Sequence, residues 1–361
     1  MACRPADPPG VEVAAQMQSD AVSRRDGALA AARVWKPPST AISSANLRVN
    51  PQVPGRLNDD EEIACRFSRT PVNGTTPKFY CELASGELMK VKYGRNNPEL
   101  AAEVAASRLL TALGFQADHM FIVKRVRCAG CPRFPFQALR CLARAGVPPG
   151  VCIPGGIDEE RIVDFDTVVL ERKLPGRVIE AFDDQGWGWF EIDRIDPSKE
   201  GSTLAEVDAF RLIAVFLAHW DNKAPNQRLI CPPGADRQDG SCDEPLALMQ
   251  DLGATFGPLK VDLQNWARGR IWKDARTCTL SMEHLPWGGG TFPERRISDA
   301  GRTLLLGLLE QLSEEQLKDL FEGSRITMQD QYSAEARRAG AWIRAFEDRV
   351  AQIRAAGPCP S

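Results

Sequence analysis

The segment His219-Trp220-Asp221-Asn222-Lys223-Ala224-Pro225-Asn226 gathers a carboxylate, an ammonium and an amide directly behind a strongly apolar stretch. On one loop, Asp221 can orient and deprotonate an attacking hydroxyl, and Lys223 can offset negative charge that develops beside it. Asn226 offers a neutral hard oxygen of the kind that binds a divalent cation. Further along, Gln250-Asp251-Leu252-Gly253 ends the apolar run Pro245-Leu246-Ala247-Leu248-Met249, which reads as a short strand. Asp251 would then supply a second oxygen ligand from a tight turn. Taken alone, an Asp-Leu-Gly tripeptide after a strand is an ordinary turn.

Two lysines and a glutamate lie upstream. From Glu87 to Tyr93 the period of two puts Met89, Val91 and Tyr93 on one face and Leu88, Lys90 and Lys92 on the other. A helix follows, with Asn97 as cap, Pro98 in its first turn, Glu99 at its positive end and Gly114 closing it. Glu103 falls in its middle. For each lysine the plain alternative is a solvated strand residue, and for Glu103 an exposed helix charge.

The elements that must position these groups are legible in outline. Ile63 to Ser68 and Lys78 to Leu83 flank the turn-rich Thr70 to Pro77, which predicts a hairpin centred near Asn73, with Cys65 and Cys81 about opposite each other. Met120 to Val126 and Thr167 to Leu170 read as strands, separated by a Pro-, Gly- and Cys-dense segment at about 128–156 to which no chemistry is assigned. Glu171 to Gly176 is polar and turn-prone, suited to a hinge. Thr203 with Glu206 forms a capping box for an apolar helix carrying Val207, Phe210, Ile213, Ala214 and Leu217, which ends at His219. Amphipathic patterns at about Ser298 to Leu312, Ser313 to Gly323 and Ser333 to Ala355 predict further helices. Residues 1–58, rich in Pro, Ala and Ser without a sustained period, are expected to be a disordered leader.

In this order the motifs resemble a known superfamily. H-x-D-x-K-x-x-N over His219 to Asn226 is similar to the catalytic loop of protein kinases, and Asp251-Leu252-Gly253 resembles their D-F-G turn with Leu for Phe. Glu103 to Phe115 resembles the glutamate helix of atypical kinases, namely the phosphatidylinositol 3/4-kinases, HipA-type kinases and secretory-pathway casein kinases. The resemblance spans about residues 63 to 257. It implies an α+β, bilobal protein-kinase-like fold: an N-lobe of antiparallel sheet plus helix over 59–172, and a mainly helical C-lobe over 173–361. It also implies ATP and Mg2+ or Mn2+ in the cleft, with Asp221 as base or substrate-orienting residue and Lys223 as charge stabiliser. Asn226 and Asp251 would be the metal ligands, and Lys92 (or Lys90) with Glu103 the phosphate clamp. The turn at Gly74 and Thr75 would meet phosphate oxygens, and Glu171 would open the hinge beside the nucleotide.

Departures are equally specific. The turn has one glycine where ordinary kinases have G-x-G-x-x-G, no A-P-E follows, and the interval from Asn226 to Asp251 is lengthened by the Cys231 to Cys242 segment. The acceptor is left open between protein, lipid headgroup and small molecule. A pseudokinase scaffold and a nucleotidyl (AMP) transferase are the competing readings of the same residues.

Composition sets outer bounds. A net charge of -3 over 361 residues gives no bulk basic field, so nucleic acid is not an expected partner. No run approaches the roughly 20 apolar residues of a membrane span. As written the chain is expected to be cytoplasmic. Its eleven cysteines instead suit an exported or periplasmic protein if they pair and the start lies elsewhere. Cys128-Ala129-Gly130-Cys131 has the spacing of a zinc knuckle, with His119, Cys141 and Cys152 as candidate further ligands.

Overall fold

The computed structural model describes residues 9–49, 55–94, 97–181, 185–257, 261–285, 289–329 and 332–360, with side chains from residue 18 onward. Helix α1 (Pro9–Ala30) is followed by strands β1 (Glu62–Ser68), β2 (Lys78–Leu83) and β3 (Leu88–Lys92), helix α2 (Pro98–Leu113) and strand β4 (His119–Ala129). Helices α3 (Pro135–Leu142) and α4 (Pro149–Cys152) then lead to β5 (Ile162–Arg172). The five strands close into a barrel of order β1-β2-β3-β5-β4. An antiparallel sheet was the expectation; the difference is that β1 pairs β4 in parallel, with Glu62 opposite Arg125 and Cys65 opposite Cys128. Closure gives each of these five strands two neighbours.

Period-two patterning fills the barrel with Phe79, Met89, Val91, Phe121, Val123, Val126, Val168 and Leu170. The Pro-, Gly- and Cys-dense segment closes one end, because α3 presents Phe136 and Leu139 to this same core. Its cysteines pair as Cys128–Cys131 and Cys141–Cys152.

Helix α2 is buried on every side, as an element covered by two layers must be. Leu100 and Val104 pack on Met120, Ile122 and Val169 of the barrel wall. Ala101, Ala102, Ala105, Ala106 and Leu109 face the main core, and their small side chains allow close approach. Asn97 caps the helix by accepting from Glu99 N at 3.1 Å. Gly114 ends it with φ 88°, and a Cβ there would fall 2.2 Å from Lys36 O.

The chain then forms β6 (Arg177–Val178), helix α5 (Leu204–Leu217), β7 (Gln227–Cys231) and β8 (Leu246–Met249), with the strands in the order β6-β7-β8. Of the helices α6 (Leu263–Arg268), α7 (Asp299–Leu309), α8 (Glu314–Gly323) and α9 (Ala339–Ala355), α7 packs along α5, α6 and α9 meet it at Phe216 through Trp266 and Phe346, and α8 packs on α2 and α9. The α5 capping box at Thr203 and Glu206 is formed. The buried Arg349 guanidinium donates to the carbonyls of Val215, Phe216, Trp266 and Gly269. It thereby satisfies orphan acceptors where α5 ends.

The leader expected over 1–58 is not one where it is described. Leu29, Ala32, Val34, Ile42 and Leu47 are buried in the main core. Arg33 bridges Leu246, and Trp35 Nε1 donates to Leu113 O. These apolar residues dock singly along an irregular path, so no periodic signal announces them. Residues 1–8 and 50–54 lie outside the described residues.

Candidate functional site

The register of the barrel brings the upstream charges together. Met89 and Val91 point inward, so Lys90 and Lys92 take the other face of β3, and the register sets Lys90 opposite Glu171 and Lys92 opposite Val169 of β5. Lys92 Nζ lies 2.5 Å from Glu103 Oε1 on α2 and 2.8 Å from Glu171 Oε2. Lys90 Nζ lies 2.5 Å from Glu171 Oε1. Glu171 was expected to open the hinge. It is instead the penultimate residue of β5, buried, with both carboxylate oxygens engaged by lysines. The connector begins after it: Leu174 N donates to Asp118 Oδ1, and the buried Arg228 reaches both Asp118 and Leu174 O.

Charges this close and this dry shift one another. Burial raises the Glu103 carboxyl, and despite the attraction of Lys92 it stands at about 7, with Asp251 and Glu171 also pushing upward. Glu171 goes the other way: burial pushes it up, but Lys92 and Lys90 together hold it well below the ordinary carboxylate range. Lys92 is dehydrated yet held well above the usual lysine value by Glu103, Glu171 and Asp251.

The downstream groups arrive from the end of α5. Ala218 takes a left-handed conformation, φ 54°, which turns the chain out of the helix. Trp220 N donates to Ala254 O and Phe256 N to Leu217 O, tying this loop to the turn after β8. Gln250 N donates to Asn226 O, so Asn226 and Asp251 leave neighbouring strands at the same end. Asp251 is left-handed as well, φ 53°, a conformation that Asp tolerates better than most residues. Asn226 Nδ2 donates to Asp221 O at 2.7 Å, which leaves its side-chain oxygen for a cation. The Asp221 carboxylate accepts from Lys223 Nζ at 2.7 and 2.9 Å. His219 is fully buried, 3.2 Å from Gln227 Nε2, and burial depresses it to about 4 although Asp221 and Asp251 both act to raise it.

These elements enclose a cleft of about 400 Å³. Lys90, Lys92, Glu171, Lys223, Asn226, Asp251 and Gly74 line it. Among the other predicted residues, Glu103 sits behind Lys92, and Asp221 meets the lining through Lys223. Thr75 is absent from the lining; its neighbour Thr76 donates to Glu99 on α2 instead. The lining holds six basic side chains against the acidic Glu171, Glu180 and Asp251, although the chain as a whole is acidic.

Two lining lysines were not foreseen as site residues, Lys78 and Lys173. Lys78 lies opposite Lys92 across β2 and β3, and its Nζ is 3.2 Å from where a Cβ on Gly74 would stand. Among the described residues, no carboxylate is within ion-pair distance of it. Its signal in the sequence was the phase of β2, which buries Phe79 and Cys81 inward and so turns Lys78 with Tyr80 to the cleft.

The hard oxygens of Asn226 and Asp251 suit magnesium or manganese better than a softer metal. No family model and no curated protein matches the chain. Among solved structures, that of a Helicobacter pylori proinflammatory kinase, CtkA, is similar over 82% of this chain and 98% of that one, at 11% identity and a TM-score of 0.44.

Proposed function

We propose that the protein is an ATP- and metal-dependent phosphotransferase built as two lobes around this cleft. One observation carries the reading: a buried lysine steadied by a helix glutamate lines the same basic cleft as an aspartate and an asparagine from adjoining strand ends. Lys92 would hold donor phosphates, with Glu103 and Glu171 fixing its ammonium in place. Asn226 and Asp251 would hold magnesium or manganese, whose charge offsets that of the phosphate oxygens. Asp221 would orient the acceptor hydroxyl and take its proton, and Lys223 would neutralise charge on the group in transit.

The acceptor, whether protein, lipid headgroup or small molecule, is set by surfaces outside these residues. The five disulfides, Cys65–Cys81, Cys128–Cys131, Cys141–Cys152, Cys231–Cys242 and Cys278–Cys359, favour an exported protein working in an oxidising compartment. No described helix is long and apolar enough to cross a membrane.

The test is a thermal-shift titration with ATP and Mn2+ on wild type and Asp251→Ala, followed by mass spectrometry of the products. A shift in wild type that needs both ligands and is lost in the variant, with phosphate added to an acceptor, is the expected result. Nucleotide in place of phosphate on the product would make the protein a nucleotidyl transferase, and binding without any product would make it a scaffold. Absence of any ATP-dependent shift would overturn the reading.

A further inference from the structure

We infer that Cys65, Cys81, Cys128 and Cys131 form a zinc site in the reduced chain, and that the Cys65–Cys81 and Cys128–Cys131 disulfides are its oxidised form. Strand register assembles the sulfurs. Cys65 lies beside Cys128 across β1 and β4, and Cys81 enters from β2, opposite Phe67 of β1. The Cys65, Cys81 and Cys128 sulfurs all lie within 4.8 Å of one another, the one such group of candidate metal ligands among the described residues. Cys81 Sγ and Cys128 Sγ, which belong to different disulfides, are 3.7 Å apart. Tetrahedral zinc with bonds of ~2.3 Å to sulfur spaces its ligands by about 3.8 Å.

The fourth sulfur, Cys131, is joined to Cys128 through a turn in which Gly130 takes φ 72°. That is the two-residue spacing by which one turn offers two thiolates to one ion. All four cysteines are buried, Cys65 the most exposed at 8%. Reduced, the four would be buried as neutral thiols; zinc would displace their protons, and its charge would offset that of the thiolates it creates in a dry site. Cys141 and Cys152, candidates from sequence, are bonded to each other and lie outside this group of sulfurs.

The redox step balances. Two equivalents of a small-molecule disulfide take four electrons from the four zinc-bound thiolates, two protein disulfides form, and the zinc ion leaves with four thiolates of the oxidant.

The full chain, purified in a phosphine reductant and loaded with Zn2+ or Co2+, should retain about one ion after gel filtration. The cobalt form should show the strong sulfur-to-metal charge-transfer absorption of four thiolates, and excess oxidised glutathione should release the ion. Cys128→Ser combined with Cys131→Ser should cut retention at least tenfold, while Cys141→Ser with Cys152→Ser should leave it unchanged. Failure of reduced wild type to retain metal, or full retention by the Cys128/Cys131 variant, would overturn the site. If that variant does not fold, the wild-type cobalt spectrum decides: a spectrum dominated by oxygen or nitrogen ligands refutes the assignment. None of these readouts involves nucleotide, so the site stands or falls apart from the proposed activity.

Discussion

Lys92 Nζ lies 2.8 Å from Glu171 Oε2 in addition to its 2.5 Å contact with Glu103, so this lysine is held by two buried carboxylates, one from β5 and one from α2. Removing one partner of a buried ion pair strands the other, which costs about 3–5 kcal/mol. Lys92→Ala should therefore lower unfolding free energy by about 3 kcal/mol in urea titration and reduce phosphotransfer at least a hundredfold. Lys90→Ala, which loses one ion pair to Glu171 and a contact with the Tyr80 ring, should cost less on both counts. Equal losses in the two variants would remove the distinction drawn between them.

Lys78 presents to the cleft an ammonium with no carboxylate in ion-pair distance among the described residues, pushed toward neutrality by burial first and by Lys92 second. A cation in that situation is relieved by an anionic ligand, and its position beside Gly74 places it where donor phosphates would lie. Lys78→Ala should raise KM for the nucleotide about tenfold, or about 1.4 kcal/mol, with a smaller change in kcat. An unchanged KM would assign Lys78 to the barrel surface alone.

How far the site could be read from sequence follows from the range of the interactions concerned. Lys90, Lys92 and the cap at Asn97 obey local periods of two and 3.6, and the chain displays them directly. The loop from His219 to Asn226 was visible as a spaced motif. Glu171 was misplaced because the end of β5 is fixed by pairing with β3 and β4, a partnership between distant segments that no local pattern encodes. Cys65 and Cys81, expected about opposite and so within reach of a cross-strand bridge, do form a disulfide, but from positions offset by two residues: Phe67 faces Cys81. Residues such as Val34 and Leu47 were hidden because they are buried one at a time by elements far along the chain.

At Gly114 the backbone is both left-handed and crowded. A methyl group would meet Lys36 O at 2.2 Å and Trp35 Nε1 at 2.8 Å, so the N-terminal segment would have to move off α2. Gly114→Ala should lose more than 1 kcal/mol in stability. The loss should be accompanied by faster proteolysis around residues 33–36, measured by limited digestion. Digestion that starts elsewhere would separate the strain from this packing.

His219 should make the fold sensitive to acid. Its folded value of about 4 lies below the ordinary value near 6.5 because burial disfavours the imidazolium. The neutral ring therefore contributes stability that is complete above pH 6.5 and is lost as pH falls toward 4, since the unfolded chain takes up the proton first. The full effect is about 3 kcal/mol at roughly 1.4 kcal/mol per unit. His219→Leu removes the proton site, so wild type should lose stability relative to the variant between pH 7 and pH 4, by up to that amount. Urea titrations of both proteins across this range would read it, and curves that run parallel would mean that the ring is reached by water or stays charged.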